Sequence, residues 1–223
     1  MQTPPGDAPM TSQTQRSMNK KNTENNVDRF YTPDPVAFSE AYIDYLKSVL
    51  MSIDTKEIGS FINTLLDARS RGAMIFFIGN GGSAATASHF ANDLAIGTND
   101  YEQPFRVFSL TDNVPVITAL GNDFGYDEIF VRQLRVSGKK GDVLVGISAS
   151  GNSANLINAF NYANSAGIKT VALTAFDGGE MKSIADEGIH VPTEAKEYGP
   201  AEDAHMILDH LVSSYLMRFI KNV

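Results

Sequence analysis

Polar and turn-forming residues fill the start of the chain, and no branched aliphatic appears before Val27. Such a segment buries too little apolar surface to offset the entropy lost on ordering, which predicts a disordered polar tail over residues 1–33 and a single domain over 34–223. Apolar residues then return at helical spacing. Phe38, Tyr42, Tyr45, Leu46 and Leu50 form one series, and Ile58, Phe61, Ile62, Leu65 and Leu66 a second that Gly72 stops. After Gly72 the period changes. Short, almost continuous apolar runs at 73–79, 105–110, 142–148, 169–174 and 188–192 read as strands. Helical patterns fall between them at 83–96, 113–120, 126–137, 153–166 and 179–186, and a long last helix covers about 201–221.

Strands that are apolar on both faces, alternating with helices, predict an α/β fold: a doubly wound five-stranded parallel sheet flanked by helices. Ligands in such folds sit beyond the carboxyl ends of the strands. On the last helix, Ala204, Ile207, Leu208, Leu211, Val212, Tyr215, Leu216 and Phe219 make a broad apolar stripe. Together with the two N-terminal helices it offers more apolar helix surface than one sheet edge needs. A homo-oligomer with helices at the interface is the expectation.

Composition narrows the chemistry. The 223 residues are 43% hydrophobic and 20% charged, with a net charge of -8, a balance that repels nucleic-acid backbones. No cysteine is present, so disulfides, thiolate metal sites and thiol nucleophiles drop out. No apolar run reaches the roughly 20 residues that span a bilayer, and the N-terminus has no apolar signal core. A cytoplasmic protein without membrane or nucleic-acid partners is expected.

Two turns between a strand and a helix invite an anion. The first, Gly79-Asn80-Gly81-Gly82-Ser83, strips side chains where a backbone must approach a ligand, and Ser83 is placed to cap the helix behind it. It lacks the spacings of dinucleotide and nucleotide loops. The second, Ser148-Ala149-Ser150-Gly151-Asn152-Ser153, adds hydroxyl donors that suit the oxygens of a phosphate monoester. Between them, Asn122 and Asp123 in a polar turn are candidates to bond sugar hydroxyls.

The segments "GNGGSAATASHFANDL", "GNDFGYDEIF", "GDVLVGISASGNSANLINAF" and "DGGEMK…AD" resemble the sugar isomerase (SIS) domain, and most closely the bacterial phosphoheptose isomerases. The resemblance runs from about Phe38 to the C-terminus. It implies a homotetramer that converts sedoheptulose 7-phosphate to D-glycero-D-manno-heptose 7-phosphate, the first step towards nucleotide-activated heptose for surface polysaccharide. It also implies zinc, one ion per subunit, and active sites at subunit interfaces.

His89 and Asp93 are four apart and share a helix face, as a surface pair or as a bracket for a metal or substrate. The resemblance favours the bracket, because they match the family's histidine and catalytic glutamate. Asp93 is one methylene shorter than that glutamate, a loss of about 1.5 Å in reach. Glu202 stands where the family has Gln, and His210 matches its second histidine. The implied catalytic residues are Asp93 and His210, and the implied metal ligands are His89, Asp93, Glu202 and His210. The implied substrate contacts are Asn80, Gly81, Gly82, Ser83, Asp93, Asn122, Asp123, Ser148, Ala149, Ser150, Ser153 and Glu202. His205 also matches a family histidine, as a substrate contact or a residue behind the site, whereas His190 reads as structural.

Glu202 and His210 lie eight residues apart, about 12 Å along one helix axis. Either Glu202 precedes the helix, or one of the pair comes from a neighbouring subunit. Glu202 either makes a metal site more anionic or shares the work of the base. The arginine that the family carries after its glutamate is missing, and Arg106 lies further on. Other readings are the same chemistry on another phosphosugar, a non-catalytic SIS protein binding a replication initiator, and a sugar-phosphate sensor.

Overall fold

The computed structural model describes Val27 and residues 29–221. Most of the expected tail lies outside the described residues. Its end does not behave as a tail, because the Arg29 guanidinium lies 4.3 Å from the centre of the Tyr45 ring and reaches Glu197 at 2.5 Å. Phe30 packs against Tyr45 with ring centres 5.3 Å apart. These contacts fall within the stretch expected to be tail. The ring of Phe30 packs on the helix that follows it, and Arg29 reaches Glu197 far along the chain, neither of which composition reveals.

Helix α1 (Pro35–Met51) starts where the sequence "TPDP" directs it. Asp34 accepts from the Val36 amide at 3.0 Å, and Pro35 needs no partner at the first position. Helix α2 (Thr55–Ser70) is capped in the same way by Asp54. Then come β1 (Met74–Gly79), α3 (Gly82–Asn92), β2 (Arg106–Ser109), α4 (Val114–Phe124), α5 (Ile129–Ser137), β3 (Val143–Ser148), α6 (Ala154–Ala166), β4 (Lys169–Ala175), α7 (Gly179–Ile184), β5 (Glu187–Val191) and α8 (Tyr198–Phe219).

The five strands form one parallel sheet in the order β2-β1-β3-β4-β5. Neighbouring side chains in β1 serve opposite faces. Phe77 packs with Phe61, Phe90, Leu94 and Leu208 on one side; Phe76 packs with Phe130, Leu144 and Phe160 on the other. The chain runs outward from β1 to β2, then returns to β3 on the opposite flank. That reversal opens a crevice at the carboxyl ends of β1 and β3. Both small-residue turns emerge there.

Three expected boundaries shift. Helix α4 continues through Gly121-Asn122-Asp123 and ends at Gly125, whose φ of 96° only glycine adopts readily. The segment expected to be one helix over 126–137 is a short 3-10 turn, Tyr126–Glu128, followed by α5. Helix α3 widens into a π-helical turn at Asp93–Gly97, a distortion often found at functional positions.

Helix α8 divides its apolar stripe in two. Ala204, Leu208, Val212 and Leu216 are buried in the chain's own core, while Ile207, Leu211, Tyr215 and Phe219 remain exposed. The exposed row is the part of the stripe that the chain's own core leaves uncovered. Among the described residues, no helix is long and apolar enough to cross a membrane.

Candidate active site

The two turns are tied together by an amide pair. The Asn80 side chain donates to Asn155 Oδ1 at 3.0 Å, and Asn155 donates back to Asn80 Oδ1 at 2.9 Å. Tyr126 Oη donates to the same Asn80 oxygen at 2.9 Å. With its amide engaged in this way, Asn80 fixes the spacing of the turns. Neither Tyr126 nor Asn155 belonged to the expected site. Their only sequence signal was their place beside "GNDFG" and "SGNS".

In the first turn, Gly81 takes φ 54° and occupies the cap position of α3. Ser83, expected as the cap, lies buried inside the first helical turn, because the helix begins one residue earlier than its pattern suggested. Gly82 is required by a close approach. A Cβ there would stand 2.2 Å from Glu202 Oε2. A carboxylate of the protein itself thus rests against the amino end of α3, where partial positive charge gathers. Burial, helped by the neighbouring Asp203 charge, raises the Glu202 pKa.

The second turn is built on backbone. Ser148 Oγ accepts from the Gly151 amide at 3.0 Å, and the buried Ala149 passes its carbonyl to the Ala175 amide at 3.1 Å. Gly151, at φ 62°, lies so close to the Gly178 carbonyl that a Cβ would fall 2.0 Å from its oxygen. Asn152 donates to the Ser150 carbonyl at 2.9 Å and accepts from the Glu180 amide at 3.0 Å. Ser153 caps α6 by position, yet its hydroxyl makes no capping bond. That hydroxyl stands at the amino end of a 13-residue helix, on an already fixed turn.

Asn122 and Asp123 are not in a turn. They occupy the exposed last turn of α4, where Asn122 Nδ2 donates to Asp123 Oδ1 at 2.8 Å. Arg106 is at the amino end of β2, far from the crevice edge, and donates to the Gly72 carbonyl at 2.9 Å. It offers nothing to a ligand at the carboxyl ends.

Beside the turns, α3 packs on α8 and brings together His89, Asp93, Asp209 and His210, whose donor atoms all lie within 4.8 Å of one another. The His89 and His210 ring centres are 5.1 Å apart. His89 Nδ1 is 2.7 Å from Asp209 Oδ2 and 3.8 Å from Asp93 Oδ2. Ser213 Oγ donates to Asp93 at 3.4 Å. The hydrogen bond to Asp209 raises the His89 pKa. Burial pushes the Asp209 carboxyl up to about 6, against the pull of that same bond.

Glu202 lies outside this group and inside α8, so its expected place in a metal set does not hold within one chain. The eight-residue separation from His210 accounts for this, and the alternative of a loop position is excluded. Asp209 takes the fourth place. It was missed because its value depends on the crossing of two helices distant in sequence. His205 is fully buried and its pKa is lowered to about 4 by burial, so it touches no substrate. His190 Nδ1 meets Thr174 Oγ1 at 3.2 Å, in keeping with a structural role.

Two imidazoles and two carboxylates suit a divalent metal of the zinc type. Tetrahedral zinc donors lie roughly 3.4 Å from one another, so the observed group needs only a small contraction.

These features define an α/β domain that receives its ligand at the carboxyl edge of a parallel sheet. The chain belongs to the SIS-domain family, whose model matches residues 40–175. It is 43% identical to a phosphoheptose isomerase of Sulfurimonas denitrificans over 143 residues, which are 64% of this chain and 72% of that one. It is 35% identical to the phosphoheptose isomerase of Helicobacter pylori strain Shi470 over 182 residues, 82% of this chain and 93% of the relative. The solved phosphoheptose isomerase GmhA of Neisseria gonorrhoeae superposes with a TM-score of 0.73 at 33% identity, covering 81% of this chain and 96% of that one.

Proposed function

We infer that the chain, as a single SIS domain over residues 34–223, is a phosphoheptose isomerase that interconverts sedoheptulose 7-phosphate and D-glycero-D-manno-heptose 7-phosphate. The observation that carries this reading is the presence on one domain of a serine-bearing turn opening a helix, tied through Asn155 to the first turn, and of a His/Asp cluster on the helix that the first turn opens. One grips a remote phosphate and the other reaches the sugar carbonyl. Binding energy at the phosphate then positions the reacting carbons.

In the proposed reaction, Asp93 removes a proton from C1 of the open-chain ketose and returns it to C2. His210 donates to the C2 oxygen and takes the proton from the C1 hydroxyl, so the enediol collapses to the aldose with atoms balanced. The second turn, through Ser150, Ser153 and backbone amides, holds the phosphate without an arginine. The first turn, with Asn80, Gly81 and Gly82, lines the sugar. Zinc held by His89, Asp93 and His210 would polarise the sugar oxygens. Glu202 is left as a substrate contact.

A cytoplasmic homotetramer with active sites at its interfaces completes the proposal, supported by the exposed apolar row on α8 and by exposed His89 and His210. The deciding experiment incubates the protein with sedoheptulose 7-phosphate, with and without Zn²⁺, and follows aldoheptose by NMR. Conversion is expected, and Asp93→Asn lowers turnover at least 100-fold. Absence of conversion in both arms would move the assignment to another phosphosugar, a reading favoured by the short Asp93 and the acid at 202.

A further inference from the structure

The Asp209 side chain has no exposure, and the one hydrogen-bonding partner of its carboxylate among the described residues is His89, at 2.7 Å. Burying a carboxylate is costly without such a partner. Asp93 lies 3.8 Å from the same Nδ1 atom, beyond hydrogen-bond length. The imidazole proton at Nδ1 therefore belongs to Asp209. His89 itself is exposed, so its other nitrogen is the one a ligand arriving from the crevice can meet.

We propose that Asp209 is the positioning residue of His89, fixing the neutral ring as the Nδ1–H tautomer and directing the Nε2 lone pair to a divalent metal shared with Asp93 and His210. Carboxylates commonly orient metal-binding imidazoles in this way, and loss of one typically weakens metal binding by about 10–100-fold. A direct bond from Asp209 to the ion fits less well. Its Oδ2 is already engaged by Nδ1–H, and its Oδ1 is buried, whereas both histidines are exposed. The metal part of this inference rests on the proposed isomerase reading; the tautomer does not.

The test compares wild type with Asp209→Leu and Asp209→Asn. Long-range ¹⁵N–¹H spectra at mildly alkaline pH, on protein with labelled histidine, report the tautomer of each of the 4 imidazoles. The His89 signal is assigned with His89→Gln. Zinc affinity is measured by calorimetry with Zn²⁺ alone. Wild type should show His89 protonated on Nδ1. Asp209→Leu should shift it towards Nε2–H and weaken zinc about 10–100-fold. Asp209→Asn keeps an acceptor oxygen and should retain the tautomer with intermediate affinity. Unchanged signals of buried His205 certify that each variant is folded.

A folded Asp209→Leu protein with His89 still on Nδ1 and zinc affinity unchanged overturns the proposal. So does equal loss of zinc in both variants with the tautomer unaltered, which would make Asp209 a direct ligand. No heptose enters these measurements, so a failure of isomerase activity is read separately.

Discussion

The two turns at the crevice look alike in sequence and differ in construction. Each follows a strand, contains glycine and opens a helix. In the first, Gly79 packs on the Ser83 carbonyl of its own turn, but the close neighbour of Gly82 is the tip of a side chain, Glu202. In the second, the close neighbour of Gly151 is backbone, the Gly178 carbonyl. A side-chain tip can withdraw, whereas a carbonyl held between two packed segments cannot. The second turn is therefore preorganised at Gly151, suited to a phosphate that stays fixed through a reaction. The first is adjustable at Gly82, which is already visited by a carboxylate of the protein.

The sharpest way to break this contrast is Gly151→Ala. The new Cβ meets the Gly178 carbonyl in a left-handed backbone conformation, so both strain and overlap oppose it. A loss of about 3 kcal/mol or more in unfolding free energy is expected, read from urea titration. A fall below about 1 kcal/mol would mean that the second turn is as yielding as the first.

Acid should act on the opposite wall. His205 sits one turn beyond Glu202 on α8, fully buried, with a pKa lowered from 6.5 to about 4 chiefly by burial. A folded-state value below the unfolded one means that the unfolded chain takes up the proton first. Its contribution is thus whole above pH 6.5 and is lost as the pH falls towards 4. The shift corresponds to about 3 kcal/mol as an upper figure. Thermal melts of His205→Gln against wild type, from pH 7 to pH 4, check it: the wild type should lose the larger share of its stability.

Much of this was legible in the sequence. The strands fell within two residues of their observed limits, because buried parallel strands leave long apolar runs. Their alternation with helices gave the parallel doubly wound sheet, but not the strand order that sets its switch point. Asp209 was not legible. It precedes His210 by one position, and nothing in a single helix says that it meets a histidine 120 residues away. Glu202 was half legible: the eight-residue spacing flagged that it and His210 are far apart on one helix, yet it stayed among the expected ligands, and nothing told that it would settle on Gly82. The α4 extension through Gly121 was hidden by turn-forming residues that the helix tolerates until Gly125.

Ser153→Ala probes the rigid turn without disturbing its backbone. The hydroxyl makes no bond to its own helix, so stability should hold. If it donates to the phosphate as proposed, KM rises by about 10–100-fold, the scale of a charge-assisted hydrogen bond, with kcat little changed.

Gly82→Ala is the gentlest of these changes and the most informative about the first turn. Its backbone angles lie within the helix, so no conformational strain arises, and its Cβ would displace only the Glu202 carboxylate, a flexible tip. Stability should change by less than about 1 kcal/mol. Glu202→Gln keeps the contact and its steric demand but takes away the charge at the amino end of α3. If the adjustable turn serves the sugar and not the phosphate, both variants should alter turnover while inorganic phosphate competes as it does in wild type. Weakened competition by phosphate in Gly82→Ala alone would show that the two turns grip the same group, and the division of labour between them would fall.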